Sequence, residues 1–160
     1  FGWQGEIAAE VGRFVEFGRQ VVDARVIPEE PEWDAAVVML GNHFDGDIAA
    51  YRAELNELVE ALAPRPMLVF TLVEDDTYQA DLNAIIRELP QFHPNVVLVD
   101  WADIAAAEPD VVLADTPSGL SEEGSRKLSL FTVAALGEPP VTDGAGCLPP
   151  VFTDDSAIVL

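Results

Sequence analysis

Three short apolar runs, separated by segments of helical periodicity, constrain the fold of this chain more than any other feature. The runs are V-V-M-L (37–40), M-L-V-F (67–70) and V-V-L-V (96–99). A solid apolar run is typical of a strand that is buried on both faces. Strands that alternate with helices pair in parallel through right-handed crossovers. The sequence therefore predicts an α/β fold, a three-layer sandwich whose mainly parallel, doubly wound sheet has helices on both faces.

The remaining elements follow from periodicity and from residues that end helices. Helical spacing predicts helices over 5–18, 47–63, 77–89 and 120–136, with a short helix after Trp101. Runs of β-forming residues predict strands over 21–27, 34–42, 67–72 and 95–101. Asp47 is the expected N-cap of the second helix, and Pro90 is expected to close the third.

The chain divides into a folded domain and a tail of different composition. Residues 1–136 are predicted to form the single α/β domain. Residues 137–160 contain four prolines and three glycines, which indicates an irregular segment rather than a second domain. The V-F and A-I-V-L stretches of this tail could nevertheless add an edge strand.

The charge of the chain excludes several classes of partner. There are 29 acidic and 8 basic residues, a formal net charge of −21. Such a surface repels nucleic-acid backbones and anionic membranes. It suits a basic partner protein, a cation or a salt-adapted surface. No apolar run approaches the roughly 20 residues of a membrane helix, so this segment is not expected to insert into a membrane.

Polar residues that follow the apolar runs are the candidate site, because ligands of open parallel sheets bind at the carboxyl ends of the strands. The candidates are Gly41, Asn42, His43, Asp45, Asp47, Glu74, Asp75, Asp76, Asp100, Trp101, Asp103, Asp115, Thr116 and Ser118.

The order of several segments resembles a known family. The segments are "VVDARV", "DAAVVMLGN", "MLVFTL", "PNVVLVDWADIAAAEPD" and "DTPSGLSEEGSRKL". Together they resemble the SGNH (GDSL-type) hydrolases, and are most similar to the domains attached to bacterial cell-surface acyltransferases that O-acylate glycans. The resemblance covers about residues 1–136 and implies an SGNH- or flavodoxin-like strand order.

The resemblance also implies a catalytic serine in a Gly-Asp-Ser block, oxyanion-hole donors in a glycine and a Gly-x-Asn block, and an Asp-x-x-His block. This chain departs from each block. No Gly-Asp-Ser precedes the first helix, and Ile27 occupies the glycine position. His43 replaces the Asn, and Ser118 or Gly119 stands where the His belongs. Asp115 matches the family aspartate only if one residue is inserted.

Two interpretations stay open for the candidate catalytic residues. His43 is either a relocated general base, with Asp45 or Asp115 as partner, or a hydrogen-bonded structural residue. Ser156, in "VFTDDS", could complete a rearranged triad with His43 and Asp115.

The other candidates also have two readings each. Gly41, Asn42 and Ser118 are candidate oxyanion or substrate contacts. Trp101 is either a substrate contact or a packing residue. Four carboxylates could bind Ca²⁺ or Mg²⁺, or could be helix caps and solvated surface: Asp45, Asp47, Asp75 and Asp76. No cofactor is predicted.

The resemblance has a consequence for the sheet. The family's first strand is central, and the corresponding segment is missing from residues 1–136. We therefore expect an upstream segment, the tail's A-I-V-L or V-F, or a partner chain to fill that position.

The sequence favours an SGNH-hydrolase-like domain of a bacterial cell-surface O-acyltransferase or esterase system, catalytically degenerate and acting in binding or assembly. One alternative is an active acyl-ester hydrolase or transferase with a rearranged or upstream nucleophile. A second is an acidic, cation-binding interaction module of a larger complex. Expected partners are a glycan or acyl ester, a protein, or a membrane domain of a parent chain. The expected location is the cell envelope or extracellular face, with the cytoplasm left open.

Overall fold

The computed structural model describes residues 3, 5–8, 12–26, 33–74, 77–113, 119–138 and 151–153. The strands are β1 (Glu6–Ala8), β2 (Ala36–Val38), β3 (Met67–Phe70), β4 (Val96–Val99) and β5 (Val151–Thr153). The helices are α1 (Val15–Val21), α2 (Ile48–Leu62), α3 (Thr77–Phe92), α4 (Trp101–Ala107), α5 (Pro109–Val112) and α6 (Glu122–Leu136). A π-helical turn, Val22–Val26, continues α1.

A parallel sheet of order β2-β3-β4 lies at the centre of the fold. Each strand is joined to the next by a helix, α2 between β2 and β3 and α3 between β3 and β4. Each of the three apolar runs therefore contributes a strand, although β2 ends at Val38, before Met39 and Leu40, and the α/β class is confirmed. Among the described residues, no helix is both long and apolar enough to cross a membrane.

The two faces of the sheet belong to different apolar clusters. Met67 and Val69 of β3 pack in one cluster, with residues of α1, α2 and α3. Leu68 and Phe70 of the same strand pack in the other, with residues of α4, α5 and α6. Side chains alternate between the faces of a strand, so the solid apolar run of β3 follows from burial on both sides.

The tail contributes a strand, but not to this sheet. Val151–Thr153 pairs in parallel with Glu6–Ala8, and the two form a separate two-stranded sheet. V-F therefore forms a strand, but this strand does not add an edge to the central sheet. The A-I-V-L stretch lies outside the described residues.

Two local predictions near the amino terminus are wrong. The helix expected over 5–18 begins only at Val15, after Gly12 in the left-handed region (φ +84°), and Glu6–Ala8 is a strand. The strand that pairs with Glu6–Ala8 lies about 145 residues further along the chain, and local periodicity does not reveal such a distant partner.

The strand expected over 21–27 is instead the end of α1 and the π-helical turn as far as Val26. Val22, one of its β-branched residues, packs in the same core cluster as Val15, seven residues earlier. Arg19 also forms an ion pair with Asp23 at i,i+4 spacing. Burial and this pair favour helix over β propensity.

Pro90 does not close α3, which continues to Phe92. His93 N–H still donates to the Leu89 carbonyl (2.8 Å), so the helix is held beyond the proline.

Candidate functional site

The carboxyl ends of β2, β3 and β4 meet at one edge of the sheet, because the strands are parallel. The segments that follow these strands carry the described candidates.

Gly41, directly after β2, is a packing residue. It is buried, with φ +126°, a region that only glycine adopts readily. A Cβ there would lie 2.8 Å from Leu72 Cδ1 and 2.9 Å from the Tyr51 hydroxyl oxygen. That hydroxyl donates to the Leu40 carbonyl (2.9 Å), and burial raises the pKa of Tyr51. Tight packing accounts for the glycine without a ligand.

The next residues form a loop that aromatic side chains support. Phe44 makes an edge contact with Tyr51 and a tilted contact with Tyr78, whose hydroxyl donates to the Asn42 carbonyl (3.2 Å). His43 is exposed, and the described residues give its ring no hydrogen-bond or ion-pair partner. Asp45, one of its two proposed partners, bonds elsewhere.

Asp45 and Asp47 are used in forming the start of α2. Asp47 Oδ1 accepts from Ala49 N–H (3.0 Å) and Ala50 N–H (2.9 Å), so the predicted N-cap is confirmed. Asp45 Oδ1 accepts from the Asp47 N–H (2.9 Å). Within the described part of the chain, no group of three His, Cys, Asp or Glu side chains is placed to hold a metal ion.

Two fully buried polar side chains fix the end of β3. Asn83, on α3, accepts from Leu72 N–H (2.7 Å) and donates to the Leu72 carbonyl (2.8 Å) and to Glu74 Oε1 (2.9 Å). Thr71 donates to Asp100 Oδ1 (2.9 Å) and accepts from Ala102 N–H (2.9 Å). Leu72, where the chain leaves β3, therefore has both of its backbone polar groups satisfied by a side chain.

Arg87 joins the loops after β3 and β4 through an ionic cluster. Its Nε and one terminal nitrogen bond both oxygens of Asp100 (2.8 Å each), and the same terminal nitrogen reaches Asp103 (3.1 Å). Glu74 lies 3.9 Å from its other terminal nitrogen. The Arg87 hydrogen bonds are the main cause that lowers the pKa of Asp100, and the bond to Asp100 raises the pKa of Arg87.

We expect the Arg87–Asp100 pair to make the free energy of unfolding depend on pH in the acid range. The folded pKa of Asp100 lies below its unfolded value. The contribution of this carboxylate to the free energy of unfolding is therefore fully present above the unfolded pKa, and it is lost as pH falls through the folded pKa. Arg87→Gln should raise the pKa of Asp100 and make the free energy of unfolding depend less on pH in the acid range. Carboxyl NMR titration of both proteins checks the shift. Arg52→Gln, at an exposed ion pair with Glu88, is the control, and an unchanged Asp100 pKa in Arg87→Gln would contradict the assignment.

A cleft of about 220 Å³ opens beside this cluster. Its lining includes the apolar residues Val73, Ala105, Pro109 and Leu113 and the acidic residues Glu74 and Asp103. Ligand pockets are usually about 300–1,000 Å³, so the cleft suits a small chemical group rather than a whole substrate.

The base of the loop between α5 and α6 is closed by backbone contacts. Leu113 bridges Leu120, and Ser121 N–H donates to the Val112 carbonyl (2.9 Å). The Ser121 hydroxyl then accepts from Gly124 N–H (2.8 Å) and caps α6. Gly124 is buried directly against the Val112 carbonyl.

The structure brings together only part of the predicted site. Trp101 is 1% exposed and packs in the second cluster against Phe131, so its ring lies in the core. Gly41, Asn42, His43, Asp45 and Asp47 lie at the carboxyl edge. Glu74, Asp100 and Asp103 lie there as well, in the ionic cluster of Arg87. The remaining candidates lie outside the described residues: Asp75, Asp76, Asp115, Thr116, Ser118 and Ser156.

Sequence reasoning missed Thr71, Asn83 and Arg87 at this edge. Asn83 gave a usable signal, since it interrupts the apolar face of "DLNAIIREL", where a buried amide must find partners.

Comparison with known proteins does not identify a family for this chain, because neither protein-family models nor curated proteins match it.

Proposed function

We propose that this chain is an SGNH-hydrolase-like α/β domain that acts in binding or assembly rather than in ester hydrolysis. Its sheet would be doubly wound, with α1, α2 and α3 on one face and α6 on the other. In this proposal the domain serves a cell-envelope system that transfers or removes O-acyl groups on glycans. The order β2-β3-β4, with all strands parallel, and the division of β3 between two clusters support the fold.

The observation that carries the functional proposal is the use of the polar groups at the carboxyl edge. Thr71 and Arg87 donate hydrogen bonds to Asp100. Asn83 bonds the backbone of Leu72, and Asp47 caps a helix. A serine hydrolase needs a base oriented by a third group toward its nucleophile. Here the candidate base, His43, is exposed, and the neighbouring Asp45 carboxylate bonds the Asp47 N–H. These groups stabilise the edge instead of activating a nucleophile.

A fluorophosphonate probe, which labels activated serines, tests this proposal. We expect the native protein to label no more than the acid-unfolded protein, while an active serine esterase in the same reaction labels fully. Ser118→Ala, Ser156→Ala and His43→Ala serve as matched variants. Labelling that disappears in Ser156→Ala or Ser118→Ala and falls strongly in His43→Ala would overturn the proposal in favour of an acyl-ester hydrolase or transferase.

A further inference from the structure

We propose that the cleft beside the ionic cluster of Arg87 binds a lysine side chain of a partner protein, with the alkyl stem against the apolar lining and the ammonium group between Glu74 and Asp103. The inference rests on the proposed role in binding or assembly and names the contact and the chemistry of the partner.

The cleft lies where open parallel sheets usually bind their ligands, outside the carboxyl ends of the strands. Val73 and Glu74 belong to the segment that leaves β3, and the facing residues belong to α4, which follows β4. The volume of about 220 Å³ is small for a whole ligand, so it suits one side chain of a larger partner.

Small residues of α4 leave room for an alkyl chain. Ala102, Ala105 and Ala106 line the cleft at helical spacing, and Pro109 and Leu113 continue the apolar lining. A lysine packs its methylene groups along such a surface while its ammonium group stays with polar partners. A small polar molecule without a stem would leave this lining without a contact.

Each carboxylate of the lining has one oxygen to spare. Glu74 Oε1 accepts from Asn83 (2.9 Å), and Asp103 Oδ1 accepts from Arg87 (3.1 Å). None of the described residues bonds the other oxygen of either carboxylate, Glu74 Oε2 or Asp103 Oδ2. An ammonium group has three donors around one point and can reach two separate carboxylates, whereas the planar guanidinium of arginine suits both oxygens of one carboxylate.

The charge of the cluster favours a cation. Arg87 faces three carboxylates, which leaves a local net charge of −2: Glu74, Asp100 and Asp103. A positively charged side chain that enters the cleft therefore gains a favourable interaction. A metal ion fits less well, because two carboxylates line the cleft, whereas Ca²⁺ takes roughly six to eight oxygen ligands.

The same charges indicate that the lysine belongs to a different protein. Lys127 is the single lysine of this chain, and it is paired with Glu108 (2.7 Å). A second copy would also bring a further net charge of −21, which opposes association between copies.

NMR titration with a glycine–lysine–glycine peptide whose ends are blocked tests the contact. The matched ligand is the same peptide with an acetylated ε-amine, which keeps the stem and loses the charge. We expect the lysine peptide alone to shift the amide signals of Glu74, Ala105 and Ala106. The shifts should become smaller as salt is added, because salt screens the interaction.

Two variants separate the stem from the charge. Ala106→Leu should fill the cleft and abolish the shifts without changing any charge. Ala106 is exposed and leucine is a good helix former, so the fold should persist, as circular dichroism would verify. Asp103→Asn should weaken binding about tenfold, the equivalent of roughly one hydrogen bond to a charged group. Glu60→Gln, the same loss of charge at an exposed position of α2, is the matched control and should bind normally.

Equal shifts with the acetylated peptide, or binding that survives both Ala106→Leu and Asp103→Asn, would overturn the proposal. Butylamine identifies the source of the group, and we expect it to shift the same signals as the lysine peptide. Shifts with butylamine but none with the peptide would assign the cleft to a free amine and would also overturn the proposal, as would no shifts with either ligand.

The proposal and the function on which it rests fail separately. Absence of peptide binding without serine labelling removes this contact and leaves the non-hydrolytic role standing. Serine labelling with intact peptide binding does the reverse.

Discussion

Replacing Gly124 by alanine is expected to destabilise the protein by about 3 kcal/mol, at the upper end of the usual cost of overpacking a well-packed site. An added Cβ would overlap the Val112 carbonyl oxygen, and its next nearest atoms, Val112 C and Cα, would be 2.9 and 3.1 Å away. All three belong to the backbone, so no side-chain rotation relieves the contact. The carbonyl is also held by Ser121 N–H. Alanine favours helices over glycine by only about 1 kcal/mol, so the overlap dominates.

Thermal and urea unfolding of Gly124→Ala measure this cost, and a fall in melting temperature of roughly 10 °C is expected for a domain of this size. Ser125→Ala is the matched control, because Ser125 is the exposed neighbour on the same helix. It should change stability by less than about 0.5 kcal/mol. Equal stability of Gly124→Ala and the parent protein would show that α5 and α6 do not approach as closely as described.

Replacing Asn83 by alanine is the second large effect, about 3 kcal/mol, because both buried backbone groups of Leu72 lose their bonds together. Leu72 N–H, the Leu72 carbonyl and Glu74 all lose their bonds to a side chain that is 0% exposed. The loop that leaves β3 should then open at its start. Hydrogen exchange at Leu72, together with urea unfolding, measures both consequences.

Asn83→Asp separates the hydrogen bonds from simple loss of volume. The carboxylate can still accept from Leu72 N–H, but it opposes the Leu72 carbonyl and Glu74, so at neutral pH it should cost more than alanine. Burial raises the pKa of such a carboxyl, and its penalty should therefore shrink as pH falls and the group is protonated. Asn56→Ala, at a partly exposed amide bonded to Arg52 and His93, should cost about 1 kcal/mol or less. A penalty for Asn83→Asp that is independent of pH would contradict this account.

The residues at the carboxyl edge of the sheet show which features of the candidate site can be predicted from the sequence. The apolar runs predicted which loops meet there, and the Asp47 cap followed from its position before a helix. Thr71, Asn83 and Arg87 were not predicted, because their partners lie 31, 11 and 13 residues away at Ala102, Leu72 and Asp100. Whether a polar residue at a strand end is free or already bonded depends on such distant contacts.

The amino-terminal segments show the same limit in the fold. β-branched residues predicted a strand over 21–27, but α1 and its π-helical turn place Val22 in the same core cluster as Val15. The pattern around Glu6–Ala8 predicted a helix, but this segment is a strand because it pairs with Val151–Thr153. In both cases a contact made in the folded state outweighed a local preference of less than about 1 kcal/mol per residue.

The sequence by itself determined the α/β class, the three strands of the central sheet and the helices that connect them, since solid apolar runs and helical spacing are local consequences of burial. The tertiary structure alone decided that β1 pairs with β5 and that Gly41 and Gly124 are required for close packing. These features depend on which distant residues come together, and that choice is made only when the whole chain packs.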